Sequence, residues 1–279
     1  MIQSVDRAVR ILVVLQGARH LSLGEIAARL DLPPSTVHGI IRTLLVHGMV
    51  QQDRDSGRYR LGPATLQLGN VYLDTLELRS RAAPWAQELA RRTGCAVRTA
   101  VLLLSDVVVV HHEPRPDGSR QMPEVGIVVP AHACALGKAQ LAFDAEALAL
   151  VLSRAGARPG GSGAQPGGGA QPGGLGLPSM TGETITEVGV LSGQLALIRG
   201  SGIATEVEEA VLGECGVAAP LVEGGGQIAG AIGLVVPSGE WPLPPVALDA
   251  LRAAARAVSR ELGAASWPPA VSCPPRASA

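Results

Sequence analysis

Lysine is nearly absent from this chain of 279 residues. Of its 23 basic residues, one is a lysine, Lys138, and the other 22 (23 − 1) are arginines. Arginine therefore occupies every basic position except one, which makes Lys138 a candidate for a specific role. The alternative is that Lys138 is an ordinary surface ammonium.

Cysteine pairs, a leader and long apolar runs are also missing. The cysteines include no Cys-x-x-Cys spacing, so we expect no disulfide framework; they are Cys95, Cys134, Cys215 and Cys273. No secretory leader precedes MIQSVDRAVR, which predicts a reduced cytoplasmic setting. The runs VLLL and VVVV are far shorter than the roughly 20 apolar residues that span a bilayer, so no membrane partner is expected.

Charge is distributed unevenly. Residues 1–62 hold 8 Arg and 5 acidic residues, a net charge of +3. The rest of the chain holds 15 basic residues (23 − 8) and 19 acidic residues (24 − 5), a net charge of −4. A basic small domain joined to an acidic larger one fits a nucleic-acid-binding domain that carries a separate sensing domain.

The first 30 residues predict two short helices. Ser4 can cap a helix that ends at about Gln16 and buries one face, with Val5, Ala8, Val9, Leu12 and Leu15. Ser22 and Glu25 have capping-box spacing, in which the hydroxyl accepts one free amide and the carboxylate accepts another. A second helix should therefore start there and continue to Leu30.

The stretch LPPSTVHGIIRTLLVHGMV predicts a third helix. It begins at Pro34, which suits a first helical position because proline has no amide hydrogen, and it ends before Gly48. Its buried face repeats at helical spacing, with Val37, Ile40, Ile41, Leu44 and Leu45. The opposite face carries Gly39, although a glycine inside a helix costs about 1 kcal/mol relative to alanine.

Two short helices joined by a tight turn predict a helix-turn-helix whose second helix enters the major groove of DNA. Small residues on the outer face let the helix approach the bases closely. The predicted contacts to bases or phosphates are Ser35, Thr36, His38, Gly39, Arg42 and Thr43. The alternative is a helical bundle with a solvated outer face.

Residues 49–61 predict a β-hairpin. Apolar and polar residues alternate on both sides of the turn Asp55-Ser56-Gly57. Three arginines lie at its tip or along one strand, Arg54, Arg58 and Arg60, where they can bind phosphates. Helix, turn, helix and hairpin together predict a winged helix.

The remainder predicts a second domain. Residues 63–80 read as a connecting helix, with a helical interruption at Pro84. Five strands are expected at 96–104, 107–113, 125–130, 215–222 and 227–236, and four helices at 134–143, 146–155, 186–198 and 246–262. This mixture predicts an α/β (α+β) fold with an antiparallel sheet covered by helices.

Two segments predict no packed structure. GAQPGG occurs twice in tandem within residues 156–178, a Gly/Pro tract that should form a flexible insertion. The tail at 266–279 should be disordered as well.

The stretch AHACALGKAQLAF carries the clearest chemical signal of the second half. An extended segment leads into a helix start, whose free amides can bind an anion or a hydroxyl, and Lys138 adds a positive charge. The small residues nearby, Gly137 among them, leave room for a ligand. Alternatively, they only let the helix pack on the sheet.

Two other chemistries remain open from the residues. An enzyme would use Cys134 as nucleophile with His132 or His111 as base, although no third group, oxyanion hole or known catalytic spacing accompanies them. A metal-dependent sensor would draw its ligands from His111, His112, His132, Cys134, Cys215 and Glu208, but their spacing does not support a site. We expect no cofactor, no catalytic residue and no metal ligand.

The chain resembles the IclR family of bacterial transcription regulators over nearly its whole length. The resemblance rests on SVDRAVRIL, LSLGEIAARLDLPPSTV, GRYRLG, PAHACALGKAQLA, EVEEAVLGECGVAAP and AVSRELG. It implies a winged-helix domain at 1–62, a connecting helix at 63–80 and a GAF-like effector domain at 81–265. It also implies a homodimer or dimer of dimers on a palindromic operator.

Within the family, STVHGIIRTL, QQDRDSGRYRLG and VVHHEPRPDGSRQ are most similar to regulators of glycerol operons. This implies a repressor that glycerol or glycerol 3-phosphate releases from DNA. The family's pocket positions match Ala135, Leu136, Glu208, Gly233 and Val235, beside Gly137 and Lys138.

The chain departs from the family in three places, one of which is the Gly/Pro insertion. Pro34 and Gly39 replace a Lys and an Arg that many members carry, so their base readout does not transfer. Gly233 and Val235 replace serines of the late strand, so a ligand other than a small keto acid is expected.

Overall fold

The computed structural model describes residues 2–18, 20–119, 121–156 and 176–269. Backbone contacts divide the chain into two compact units between Thr75 and Leu76. The predicted insertion at 156–178 and tail at 266–279 lie largely outside the described residues.

The first unit contains four helices and a hairpin: α1 Gln3–Gln16, α2 Leu23–Leu30, α3 Pro34–Val46, β1 Val50–Gln52, β2 Tyr59–Leu61 and α4 Pro63–Thr75. The first three helices and the hairpin share one apolar core, formed by Ile11, Leu15, Leu21, Ile26, Ala27, Leu30, Val37, Ile41, Val50 and Tyr59. Burying these side chains stabilises a unit whose helices are each too short to be stable alone.

Local sequence signals predict the positions of these helices, with two corrections in α1. The capping box exists: Ser22 Oγ accepts from the Glu25 amide at 3.3 Å, and a Glu25 carboxylate oxygen accepts from the Ser22 amide at 2.7 Å. Ser4, in contrast, is no cap, since α1 begins at Gln3 after Ile2. Leu15 is buried as predicted, but Val5 and Val9 are exposed because α1 packs through Leu15 and Ile11, and Ile11 was not on the predicted face.

The second unit alternates helices and strands. It contains α5 Glu77–Thr93, β3 Ala96–Leu103, β4 Asp106–Glu113, β5 Val128–Pro130, α6 Ala135–Leu141, α7 Ala145–Gly156, α8 Val188–Ser201, β6 Ala204–Val207, β7 Glu214–Val222, β8 Ile228–Pro237 and α9 Pro245–Glu261. All strands pair antiparallel in the order β5-β4-β3-β8-β7-β6. The predicted antiparallel sheet with covering helices is confirmed, and the strand at 204–207 is an addition.

The segment expected to form one connecting helix, residues 63–80, contains all of α4 and the start of α5. Helix α4 ends at Thr75, Leu76 is extended, and α5 begins at Glu77. Pro84 lies inside α5 and does not interrupt it. Although a helical proline costs about 3 kcal/mol, α5 buries apolar side chains against the sheet and α9, and this burial offsets the cost; they are Leu78, Ala82, Ala86, Leu89 and Ala90.

The chain is ordered beyond the point where the tail was expected to begin. The Trp267 indole donates a hydrogen bond to the carbonyl of Pro220 at 2.8 Å. The guanidinium of Arg256 lies 5.2 Å from the centre of the same ring. Aromatic packing and a cation–π contact therefore hold residue 267 on the second unit.

Candidate nucleic-acid interface and effector site

Helix α3 presents the outer face that the sequence predicts. Ser35, His38, Gly39, Arg42 and Thr43 are exposed, and Thr36 is half-buried. The helix backbone is accessible at the centre of this surface, since no neighbouring atom lies within 4 Å of the position that a Cβ on Gly39 would occupy. The arrangement allows a flat nucleic-acid edge to come close to the helix backbone.

The hairpin places its arginines at the surface beside this helix unit. In the turn, the Asp53 carboxylate accepts hydrogen bonds from the Ser56 amide and hydroxyl, both at 2.8 Å, and these bonds lower the pKa of Asp53. Arg54, Arg58 and Arg60 are all exposed. They form an exposed set of positive charges, of the kind that binds phosphates without regard to sequence.

One of these arginines already has a protein partner. The Arg58 guanidinium lies 3.4 Å from a Glu25 carboxylate oxygen and 3.4 Å from the His20 carbonyl oxygen. Both side chains of the ion pair are more than 40% exposed, so the pair contributes little to stability. A phosphate can therefore compete for Arg58.

The effector residues predicted from the family's pattern meet where α6 starts on the sheet. Gly233 lies at the centre of β8, and a Cβ there would sit 3.2 Å from Leu136 Cδ2 and 2.7 Å from the Val217 carbonyl oxygen. Val235 follows on the same face of the strand. The structure brings Ala135, Leu136, Gly233 and Val235 into one region.

The start of α6 is satisfied by the protein's own groups. The Ala135 amide donates to a carboxylate oxygen of Glu206 at 3.1 Å, and the Gly137 amide donates to Cys134 Sγ at 3.4 Å. Gly137 is needed for packing, since a Cβ there would lie 2.1 Å from the Ala131 carbonyl oxygen. The amides of Ala135 and Gly137 are thus occupied, and Gly137 leaves no free space for a ligand.

Glu206 is the acidic side chain of this region, and the sequence analysis did not select it. It is buried on β6, and burial raises its pKa to about 7. Gly216, its partner on β7, leaves room for it, since a Cβ on Gly216 would lie 2.9 Å from a Glu206 oxygen. The predicted Glu208 instead accepts from the Gly213 amide at 2.9 Å within its own turn.

Lys138 is neither a surface residue nor an open site. It is fully buried, and its ammonium donates to both oxygens of Glu209 at 2.7 and 2.9 Å and to the Gln194 side-chain oxygen at 3.0 Å. An ammonium has three hydrogens, so these partners use all of them. The structure therefore corrects the expectation that Lys138 faces an effector.

A second cation lies on the pocket side of the sheet. Arg98 on β3 pairs with Glu124 and Glu214, and its side chain is 16% exposed. Arg98 is opposite Gly233 in the β3–β8 ladder, so both residues share a face. The sequence signal that could have identified Arg98 was a charged residue inside the mostly apolar strand AVRTAVLL.

The enzyme alternative has no support in this geometry. Cys134 is buried, and burial raises the pKa of its thiol far above neutral pH. The His132 ring donates to the Pro178 carbonyl at 2.9 Å, away from that sulfur. Burial lowers the pKa of His132 as well. A protonated thiol without an adjacent base is not a nucleophile.

The metal alternative also fails over the described ranges. Within residues 2–18, 20–119, 121–156 and 176–269, no three or more His, Cys, Asp or Glu side chains come together as a metal site. His111 and His112 point to opposite faces of β4, as adjacent strand residues must. Across the same part of the chain, no helix has the length and apolarity needed to cross a membrane.

A pocket of about 220 Å³ opens elsewhere in the second unit, against the end of α6, α7 and α8. Arg199 lines it and donates to the Ala142 carbonyl at 2.6 Å. None of the predicted effector residues lines this pocket.

Two family models match the chain. The IclR helix-turn-helix domain matches residues 4–54, and the C-terminal domain of the bacterial transcriptional regulator IclR matches residues 70–156 and 173–260.

Two relatives match this chain over nearly its whole length. The chain is 40% identical to the glycerol operon regulatory protein of Streptomyces coelicolor over 272 residues, covering 94% of this chain and 97% of the relative. The protein of the same name from Streptomyces griseus is also 40% identical, with the same coverage.

Solved structures share the fold. An IclR transcriptional regulator from Alicyclobacillus acidocaldarius is 25% identical, with a TM-score of 0.73 over 93% of this chain and 98% of that chain. An IclR homologue from Microbacterium hydrocarbonoxydans, complexed with 4-hydroxybenzoate, is 23% identical, with a TM-score of 0.68 over 93% of this chain and 98% of its own.

Proposed function

The chain belongs to the IclR family of transcriptional regulators, and from this premise we propose that it represses a glycerol-utilisation operon until a small-molecule inducer releases it from DNA. It is a DNA-binding regulator and not an enzyme. The repressor role, the operon and the inducer are the proposed parts. With an operator-binding role, we propose that it acts in the cytoplasm of a bacterium.

The exposed face of α3 carries the proposal for DNA reading. It combines a glycine with open space around it and short polar side chains, flanked by His38 and Arg42. We assign contacts with base edges and nearby phosphates to Ser35, Thr36, His38, Gly39, Arg42 and Thr43. Arg54, Arg58 and Arg60 of the hairpin contact the backbone and contribute affinity without sequence preference.

The proposed effector site lies where α6 meets the sheet. Ala135, Leu136, Gly233 and Val235 form it, and Glu206 takes the role that the sequence analysis gave to Glu208. Glu206 supports this assignment because it is a buried carboxylate aimed at the Ala135 amide. Lys138 acts behind the site by fixing α6 to Glu209 and α8.

Effector binding in the second unit must change how the DNA-binding units meet the operator. A homodimer, or a dimer of dimers, binds a palindrome only when its recognition helices match the half-site spacing. An inducer that binds more tightly to a dimer geometry with a different spacing of the recognition helices lowers operator affinity. The size of the decrease is set by the difference between the inducer's binding free energies for the two geometries. Glycerol and glycerol 3-phosphate are the proposed inducers, given the relatives named as glycerol operon regulatory proteins.

Gel shifts of the full-length protein on DNA upstream of its own operon test this function. We expect a specific complex that competitor DNA does not remove and that one of the two compounds dissociates. Failure to bind this DNA at any salt concentration contradicts the operator assignment. Binding that neither compound weakens contradicts the inducer assignment alone.

A further inference from the structure

Arg98 lies at the effector site, although no motif marks it. Its neighbours across the ladders are Gly233 on β8 and His112 on β4. Residues directly opposite each other on antiparallel strands point to the same face. Leu136 of α6 approaches Gly233 on that face. The Arg98 side chain therefore extends along the surface that α6 covers.

Arg98 is the cation that this surface offers to a ligand. The other cation near α6, Lys138, has all three hydrogens bound by Glu209 and Gln194. The Arg98 guanidinium uses Nε and Nη2 for Glu124, at 2.7 Å for Nη2, and Nη2 also lies 3.1 Å from Glu214. Its Nη1 group donates to neither carboxylate, but two carboxylates on one guanidinium give the cluster a net negative charge, so a third anion binds favourably by displacing one of them.

Glu124 is the carboxylate that can leave. It lies in the connection between β4 and β5, where the side chains of Met122, Val125 and Ile127 are exposed, and the backbone bonds that tie this connection to β4 are made by Gly126 and Ile127 rather than by Glu124 itself. Glu214, in contrast, is the first residue of β7 and is fixed in the sheet by its ladder with β8. Moving Glu124 breaks fewer contacts than moving Glu214.

An unpaired group beside Arg98 points to the same ligand. The Nε2 atom of His112 is buried and has no hydrogen-bond partner among the described residues. His112 faces Arg98 across the β3–β4 ladder. A ring nitrogen and a guanidinium side by side can both donate to one anionic group.

We propose that Arg98 determines effector specificity: a small phosphorylated or carboxylated effector binds by replacing Glu124 on the Arg98 guanidinium, with His112 as a second donor. The proposal rests on the proposed function, whose effector site it refines. An uncharged polyol cannot compete with a bidentate carboxylate for this cation. The inducer class is therefore a small anion, glycerol 3-phosphate rather than glycerol.

Calorimetric titration of the full-length protein tests the exchange, with glycerol 3-phosphate, glycerol and inorganic phosphate as probes. We expect glycerol 3-phosphate to bind at least about tenfold more tightly than glycerol. Arg98→Gln should weaken glycerol 3-phosphate by about tenfold or more. Glu124→Gln should strengthen it by about threefold or more, because the competing charge is gone. A merely structural role for Glu124 would not produce tighter binding.

Arg91→Gln is the control, because Arg91 also pairs with a carboxylate, Glu88, but on the exposed surface of α5. It should leave glycerol 3-phosphate affinity unchanged. If Arg98→Gln does not fold, Arg98→Lys retains the charge but loses the bidentate geometry, and it should still weaken binding.

Glycerol binding more tightly than glycerol 3-phosphate to the wild type overturns the proposal. So does a Glu124→Gln variant that binds no more tightly, or a wild type that binds neither phosphate probe while it still shifts its operator. Loss of operator binding by the wild type would instead refute the proposed function, so the two failures are distinguishable.

Discussion

The ammonium of Lys138 and the carboxylate of Glu209 form a buried ion pair, with distances of 2.7 and 2.9 Å to the two oxygens. The pair joins α6 to the segment after β6 across 71 positions of sequence. Gln194 of α8 completes the donor set. A position that the composition singled out thus holds three elements of the second unit together.

We expect Lys138→Met to destabilise the second unit by about 3–5 kcal/mol, because it leaves the Glu209 carboxylate buried without a partner. Adding Glu209→Leu should recover part of the loss. The chain's three tryptophans, Trp85, Trp241 and Trp267, all lie after residue 75, so their fluorescence in urea reports this unit. A Lys138→Met protein as stable as wild type but altered in induction would restore the direct effector role.

Gly39→Ala should separate helix stability from DNA binding. No atom would contact the added methyl, so the helix should gain about 1 kcal/mol. Operator affinity should nevertheless fall by about tenfold if DNA approaches the backbone there. Hydrogen exchange of the α3 amides measures the first effect and gel shifts measure the second.

Gly193→Ala in α8 is the control, because its Cβ position is equally open. It should stabilise its own helix without affecting operator binding. An unchanged operator affinity for Gly39→Ala would show that the helix does not lie close to the bases at this position.

Arg58→Ala should weaken binding to operator and random DNA alike and reduce the slope of log K against log salt by about one unit. The weak surface pair with Glu25 should hardly change stability. Arg91→Ala removes the same charge from an exposed pair in the second unit, and DNA binding should not respond. A loss confined to the operator would assign Arg58 to base reading.

Glu206→Gln should change how stability depends on pH. Burial raises the Glu206 pKa to about 7, and Lys138, Glu209 and Arg98 are the charged groups that act on it. The folded protein therefore binds this proton more tightly than the unfolded chain, whose carboxyl titrates near 4.5. The wild type should lose stability as pH rises from about 4.5 to 7 and level off above that range.

Between pH 4 and pH 8 the stability difference between Glu206→Gln and wild type should shift by about 3 kcal/mol in favour of the variant. Urea unfolding followed by tryptophan fluorescence at both pH values measures the shift. A constant difference would mean that Glu206 keeps an ordinary pKa in the folded state.

The first unit could be predicted almost completely, because its signals are local. Capping at Ser22, the proline at the start of α3 and the helical spacing of Val37 and Ile41 each act within a few residues. The outer face of α3 follows from that spacing. Even so, part of the buried face of α1 was predicted wrongly. Several rows of apolar side chains lie along this helix, and only the elements packed against it decide which row is buried.

The sequence located the proposed effector site but did not identify all of the side chains that lie there. Strand β6 was missed because its inward positions, Ala204 and Glu206, include a buried carboxylate and so break the apolar alternation of a strand. Lys138 was singled out by composition, but its partner was not identifiable. Arg98 meets Glu124 and Glu214 across 26 and 116 positions.

By itself, the sequence determined the kinds of helices and strands, the exposed outer face of α3 and the family, since these depend on short-range spacing and on motifs. Only the tertiary structure decided that Glu206, and not Glu208, is buried beside the start of α6, that Lys138 is enclosed and that Arg98 shares a face of the sheet with Gly233. Charges far apart in the chain are brought together by folding of the sheet, and burial then sets which of them is paired, protonated or available to a ligand.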